Sequence, residues 1–172
     1  MIKKATINDI NIVMEIINDA KKYLKSQNSL QWNQKDGYPS ENDLMKDIIN
    51  NSCYLYIENN EVIGTMSIIL TPDENYNEID GNWLTTGKYA SIHRIAIKNT
   101  HHQKGIGVKM LLEAEEIVKA NNIYSIKIDT HKINIPMTKT IINSGYTYCG
   151  VITLKRSKED NLRNAYEKRL DN

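Results

Sequence analysis

Gly105 and Gly107 stand two residues apart where an apolar run, Ile95-Ala96-Ile97, gives way through a polar turn over 98–104 to Val108-Lys109-Met110-Leu111-Leu112. A strand, a turn, a glycine pair and a helix start make an anion site in outline. The first N–H groups of a helix lack intrahelical partners, and the aligned peptide dipoles add partial positive charge there. Glycines let a ligand approach that backbone closely. Two imidazoles are the other candidates for chemistry: His93 on the strand, and His131 at the end of a later apolar run, after Asp129-Thr130. A partly buried imidazole that stays neutral near pH 7 accepts a proton directly or through water. His93 has a plain alternative as a hydrogen-bonded core histidine, and Asp129 has two readings, to orient His131 or to cap the following turn. The aromatics Trp32 and Tyr38 fall in one irregular segment. Trp83 and Tyr89 fall in or beside another, which carries Asp73, Glu74, Glu78 and Asp80 against the single Lys88. Ring faces and carboxylates suit a cationic small molecule; the alternative is that the two tryptophans pin loops and the acids solvate them.

Several elements must position these groups. Ile2 to Thr6 reads as a strand, and Thr6 with Asp9 as a capping box. Ile10, Val13, Met14, Ile17, Ala20 and Leu24 repeat at helical spacing, so a helix is expected to about Lys25. The segment 31–39 breaks that pattern, and Ser40 caps a second helix from Glu41 to about Asn50. Cys53 to Ile57 and Val62 to Leu70 form a hairpin around Asn59-Asn60. Thr71 to Lys88 has no usable periodicity and is long for a connection inside a compact domain, which marks a functional loop. Strict alternation along the central strand places Ser91, His93 and Ile95 on one face and Arg94 on the other, as a structural residue. Ser125 to Thr130 follows the glycine-started helix, giving a right-handed parallel strand-helix-strand unit. Asn134 with Pro136 opens a helix that Gly145 stops. Tyr146 to Leu154 and Asn164 to Leu170 close the chain as a strand pair around the turn 157–161. The fold class is α/β (α+β): a mixed, mostly antiparallel sheet of about seven strands with helices on both faces.

Composition sets the outer limits. A chain of 172 residues with 40% hydrophobic content suits one domain, residues 1–172. A net charge of +1 offers no field for nucleic acid or an anionic membrane. No apolar run is long enough to span a bilayer, and Met1 to Ala5 lacks the apolar block of a signal peptide, so a cytoplasmic location is expected. Cys53 and Cys149 lie far apart in strand-like runs without metal-type spacing and read as buried free thiols, and no metal site is expected. A homodimer is left open.

In this order of elements the chain resembles the GNAT superfamily of N-acetyltransferases over essentially its whole length. The matching residues are Ile95-Ala96-Ile97, then His102-Gln103-Lys104-Gly105-Ile106-Gly107, then Asn134 and Gly145-Tyr146, with Thr6/Asp9 and Val62-Ile63-Gly64 also fitting. His102 departs from the family's Gln or Arg. The resemblance implies acetyl-CoA in a V-shaped gap between the strands ending at Ile97 and Thr130. Its pyrophosphate would lie on the N–H groups of Gln103, Lys104, Gly105, Ile106, Gly107 and Val108. The pantetheine arm would run along Ile95 to Ile97, and Asn134 and Met137 would line the far wall. A backbone N–H near Ile95 would stabilise the oxyanion, a role worth roughly 3 kcal/mol in comparable sites. The usual basic and acidic positions hold Ser91 and Ile141, so His93 is the first candidate base, His131 the second, and the acid is vacant. Trp32, Tyr38, Trp83 and Tyr89 are the expected walls for the acceptor. The activity implied is acetyl transfer to a small-molecule amine by direct attack in a ternary complex. The rivals are acetylation of a peptide or protein N-terminus and an acyl-CoA-binding sensor without catalysis.

Overall fold

In a computed structural model of the chain, residues 1–32, 37–102, 104–156 and 160–171 are described. Thr6 starts the first helical unit as its sequence suggests. The Asp9 carboxylate accepts from Thr6 N at 2.8 Å and from its hydroxyl at 2.7 Å, closing one 3-10 turn before α1, Ile10–Ser26. Ser40 and Asp43 repeat the device at the head of α2, Glu41–Ile49, with Ser40 N donating to the Asp43 carboxylate at 2.8 Å. Val13, Ile16 and Ile17 of α1 and Leu44 and Ile48 of α2 bury against Cys53 and Leu55 on one face of the sheet. On the other face lie α3, Ile106–Ala120, and α4, Ile135–Asn143. There Met110, Leu111, Ala114 and Val118 of α3 and Ile141 of α4 pack on Ile63, Ile92, Ile126 and Ile128.

Among the described residues the sheet has eight strands, one more than the seven expected. They are β1 Ile2–Lys4, β2 Cys53–Glu58, β3 Glu61–Ile69, β4 Asp80–Gly81, β5 Ala90–Ile97, β6 Ser125–Thr130, β7 Thr147–Thr153 and β8 Leu162–Arg169. Their order is β1-β2-β3-β5-β6-β8-β7-β4. The added strand is β4, two residues of the long loop that pair with Gly150 and Val151. So short a pairing leaves no periodicity to read. Asn59 and Asn60, both with positive φ (51° and 62°), turn the β2–β3 hairpin as expected of asparagine. Of the turn expected over 157–161, residues 157–159 lie outside the described set. Cys53 and Cys149 are buried and free, and burial pushes the Cys53 thiol up to about 11. Among the described residues no helix is long and apolar enough to cross a membrane.

Two irregularities decide where the site lies. The parallel pair β5–β6 is joined only through Ala90 to Ile92, opposite Ile126 to Ile128; beyond that the strands part, and the β6-facing edge of β5 is left without a strand. The second irregularity lies in the β3–β5 ladder. The register runs Ser67 with His93 and then Thr65 with Ala96, so Arg94 and Ile95 together oppose one residue, and Arg94 sits at φ +52°. This bulge overturns the alternation expected along the strand. Ile95 and Ile97 join Ile92 on the α3 face, while Arg94 reaches Ser67, the partner of His93, and so shares the face of His93.

Candidate functional site

The parted strands open a cavity of about 820 Å³. It is walled by β5 from Ile92 to Ile97, the end of β6, the start of α3, the first turns of α4 and the last turns of α1. At the α3 end Gly105 is the N-cap, in the left-handed region at φ +70°. A Cβ placed on it would meet nothing within 4 Å, so the amides behind it are open to a ligand. The first helical bond of α3 runs from Lys109 N to Gly105 O, which leaves the N–H groups of Ile106, Gly107 and Val108 as orphan donors. No acidic residue stands in the first turn to compete for them. Gly107 is glycine for a different reason than ligand approach: a Cβ there would stand 2.8 Å from the Thr140 methyl, so it sets the close packing of α3 on α4. Lys104 and Val108 are close to this end without lining the cavity, and Gln103 lies outside the described residues. His102 lines it, with its Nε2 at 3.1 Å from Ile97 O and its ring edge-on to Tyr23. Asn134 caps α4 by accepting from Met137 N at 3.2 Å and donates to Gln31 at 3.1 Å, so both Asn134 and Met137 stand on the wall opposite β5.

The other end of the cavity is ionic. His93 Nε2 is 3.0 Å from Asp73 Oδ2, a contact off the line of a hydrogen bond, and His93 Nδ1 is 3.9 Å from Asp129 Oδ1. Asn75 donates twice to Asp73 Oδ1, at 2.8 Å from its backbone and 2.8 Å from its side chain. Burial alone would raise the Asp73 carboxyl, but the His93 contact and the Asn75 amide outweigh it and lower the group to about 2. Tyr76 donates to Asp129 Oδ1 at 2.7 Å, and its hydroxyl is held well above its ordinary value by full burial first and by that carboxylate second. Arg94 is bound on both sides, with Nε to Asp47 Oδ2 at 2.6 Å, Nη2 to Asp47 Oδ1 at 2.8 Å and Nη1 to the Tyr38 hydroxyl at 2.5 Å. Tyr38 in turn lies under the Arg156 guanidinium, 3.2 Å from its ring centre.

The candidates from sequence divide accordingly. His93, Ile95, Ala96, Ile97, His102, Gly105, Ile106, Gly107, Asn134, Met137, Trp32 and Tyr38 all line the one cavity. His131 does not: it is buried with Nε2 at 2.6 Å from Asp160 Oδ1, and it accepts from Ile133 N through Nδ1. Asp129, read as orienting His131 or capping the turn after it, stands beside His93 instead. Trp83 and Tyr89 also miss the cavity. Their rings flank the buried Lys127 ammonium, at 4.2 and 4.0 Å, and Trp83 donates to Tyr76 O. The long loop that carries Trp83 is fastened by the fully buried Glu167, which accepts from Leu84 N at 2.6 Å and from the Thr85 hydroxyl. The rings therefore cover a cation of the protein itself. Asp129, Arg156 and Arg163 are among the charged cavity residues that sequence reasoning did not assign to it, while Asp73 comes from the acidic loop already singled out. Asp129 carried one usable signal, its place at the carboxyl end of a parallel strand, where ligands of open α/β sheets bind.

Comparison with known proteins follows the same geometry. The sequence model of the Acetyltransferase (GNAT) family matches residues 17–141. A GNAT-family acetyltransferase structure from Streptococcus agalactiae is 30% identical, covering 100% of this chain and 96% of that one with a TM-score of 0.89. The PaiA N-acetyltransferase of Thermoplasma acidophilum, solved in complex with coenzyme A, is 18% identical, covering 98% of each chain at a TM-score of 0.69. AAC(6')-Ib in complex with ribostamycin and coenzyme A is 16% identical, covering 98% of this chain and 92% of that one at a TM-score of 0.71. At these last two identities the likeness is one of fold. The comparison with curated proteins returned no match.

Proposed function

Since the chain belongs to the acetyltransferase (GNAT) family, we propose that it works as one domain and is an acetyl-CoA-dependent N-acetyltransferase acting on the primary amine of a small molecule. One observation carries this reading. A single cavity joins an open amide cradle and an unpaired strand edge at one end to His93, Asp73 and Asp129 at the other.

The residues present fit the coenzyme. Three orphan amides at the head of the fifteen-residue α3, with no acid in its first turn, suit a pyrophosphate. The edge of β5 from His93 to Ile97, freed where β6 leaves it, suits an extended amide-bearing arm such as pantetheine. Asn134 and Met137 close the opposite wall. When bound, acetyl-CoA supplies an acetyl thioester, whose transfer replaces the C–S bond by a C–N bond and leaves a thiol and one proton.

The chain's own groups would handle the acceptor. Asp73 and Asp129 attract an ammonium into the ionic end. His93 takes a proton from it, and its contact with Asp73 stabilises the charge His93 gains. Ile95 stands on the cavity wall within the bulge, where its backbone amide is the proposed oxyanion donor. Ile141, at the family's usual acidic position, is fully buried in the core and offers no proton, so the thiolate leaves without a side-chain acid. That same burial favours the second reading, an acyl-CoA-binding module without turnover.

Release of free thiol from acetyl-CoA over a panel of small amines and N-terminal peptides separates these readings. His93→Ala should lower turnover by about a hundredfold below neutral pH, where the acceptor is an ammonium, and by much less in alkali, where it is already a free base. A loss of equal size at every pH would make His93 a structural residue. CoA binding with no turnover on any amine or peptide would leave the binding module standing.

A further inference from the structure

The ionic end of the cavity holds groups of both signs, and beyond the His93 contacts two of them, Asp129 and Arg156, keep positions open. On the acidic side, Tyr76 occupies only Oδ1 of Asp129; Oδ2 makes no hydrogen bond among the described residues. On the basic side, Arg94 is neutralised by Asp47, but Arg156 is not. Its guanidinium lies flat against the Tyr38 ring and makes no hydrogen bond or ion pair among the described residues. Tyr38 is itself fixed from behind through its hydroxyl by Arg94. A guanidinium held in plane by a ring presents a pre-set fork to a carboxylate. Arg156 is also tied close to the acidic side. Lys155 N, next to it in the chain, donates to Asn75 Oδ1 at 2.9 Å, and Asn75 is the residue that holds Asp73. Arg163 lines the same end, with Nη1 donating to the carbonyls of Asp160 and Leu162.

We infer that the acceptor is of amino-acid type: a primary amine taken by Asp73 and Asp129 beside His93, on a molecule whose carboxylate is taken by Arg156 over Tyr38. This rests on the transferase reading and narrows its substrate class. A plain amine or diamine satisfies the acidic side and leaves Arg156 facing an empty position, whereas a molecule with both charges neutralises both sides. The same chemistry comes from a free amino acid or from a short peptide with both its ends.

The test uses matched pairs on the whole chain: each common L-amino acid against its decarboxylated amine and its amide, at a fixed acetyl-CoA concentration, with rates corrected for the fraction of free base. A dipeptide against its C-terminal amide is a further pair and separates the two sources. For at least one pair, kcat/KM of the carboxylate-bearing member should exceed that of its partner by tenfold or more. Arg156→Gln should reduce that ratio about tenfold, and Arg156→Lys should restore part of it. The CoA dissociation constant of each variant reports that the cavity is intact. Transfer in which plain amines equal or exceed their carboxylate partners, or a ratio that Arg156→Gln leaves unchanged, would overturn the inference and leave the transferase reading intact. If no member of any pair is acetylated while another amine of the wider panel is, the inference falls and the transferase reading stands; if nothing on either panel is acetylated, the transferase reading falls. Stabilisation of the CoA-loaded protein against heat by amino acids, and not by their decarboxylated forms, would then support the ligand class alone. Its absence would overturn that too.

Discussion

Gly105 allows the phosphate cradle to be tested with almost no change of shape, by comparing Gly105→Asp with Gly105→Asn. Both side chains tolerate the left-handed φ of +70°, and a Cβ there meets nothing within 4 Å, so the two variants carry the same backbone demand. They differ by one negative charge at the mouth of the orphan amides. A unit charge about 5 Å from a phosphate charge costs about 3 kcal/mol at an effective dielectric of about 20. At an exposed N-cap in physiological salt this falls to about 1.5–2 kcal/mol. Calorimetric titration with CoA should therefore give a dissociation constant about 10- to 30-fold weaker for the aspartate than for the asparagine. The gap should narrow as salt is raised. Stability should not follow affinity, because an acid beside a helix N-terminus is favourable by a few tenths of a kcal/mol. Equal CoA affinity in two folded variants would refute the placement of the pyrophosphate at α3.

Two more outcomes follow from packing and charge. Gly107→Ala puts a methyl 2.8 Å from Thr140 Cγ2 and should destabilise by about 1–3 kcal/mol in urea, with Thr140→Ala in the same chain recovering at least half; strictly additive losses would mean the two residues do not meet. Asp73, at about 2 in the folded chain against 3.8 unfolded, contributes stability that is complete above the unfolded value and is lost as pH falls through the folded one. For a carboxylate still reached by solvent this is about 1 kcal/mol, so Asp73→Asn should be less stable than the parent by that amount at neutral pH, with the gap closing between about pH 4 and about pH 2. A gap that does not change with pH would refute the paired carboxylate.

Local signals made much of the frame legible. The capping pairs Thr6/Asp9 and Ser40/Asp43, the Asn59-Asn60 turn and the spacing of α1 and α3 each set one element, and those elements stand where the chain suggested. The amide cradle was legible for the same reason, since a glycine at a helix start acts through its own backbone. The acceptor end was not, because its contacts join residues far apart in the chain. Asp73 meets His93 and Tyr76 meets Asp129, 53 positions away, and no periodicity records such pairings. Trp83 and Tyr89 misled for a related reason. Aromatics in an acidic loop suit an external cation, but Lys127 on β6 alternates onto the face this loop covers and takes the rings itself. His131 had the right type and strand position for a base, and Asp160, 29 positions on and beyond α4 and β7, occupies it.

The bulge at Arg94 is where local reasoning fails and function begins. A non-glycine residue at φ +52° in a strand costs on the order of 1–2 kcal/mol, and nothing in the strand's own residues recommends it. The compensation comes from α2. Asp47 grips Arg94 through two hydrogen bonds and takes a third from Ser67, and severing a buried pair of this kind costs about 3–5 kcal/mol, more than the strain it holds. His93 keeps the face that regular register with Ser67 gives it, beside the two carboxylates, and the displaced register turns Arg94 onto that same face. Arg94 is thereby delivered to Tyr38, on which Arg156 stacks. One strained residue therefore joins the basic half of the proposed acceptor recognition to the acidic half. Asp47, which does not itself line the cavity, should govern acceptor selectivity through Tyr38 while leaving the amide cradle at α3 untouched.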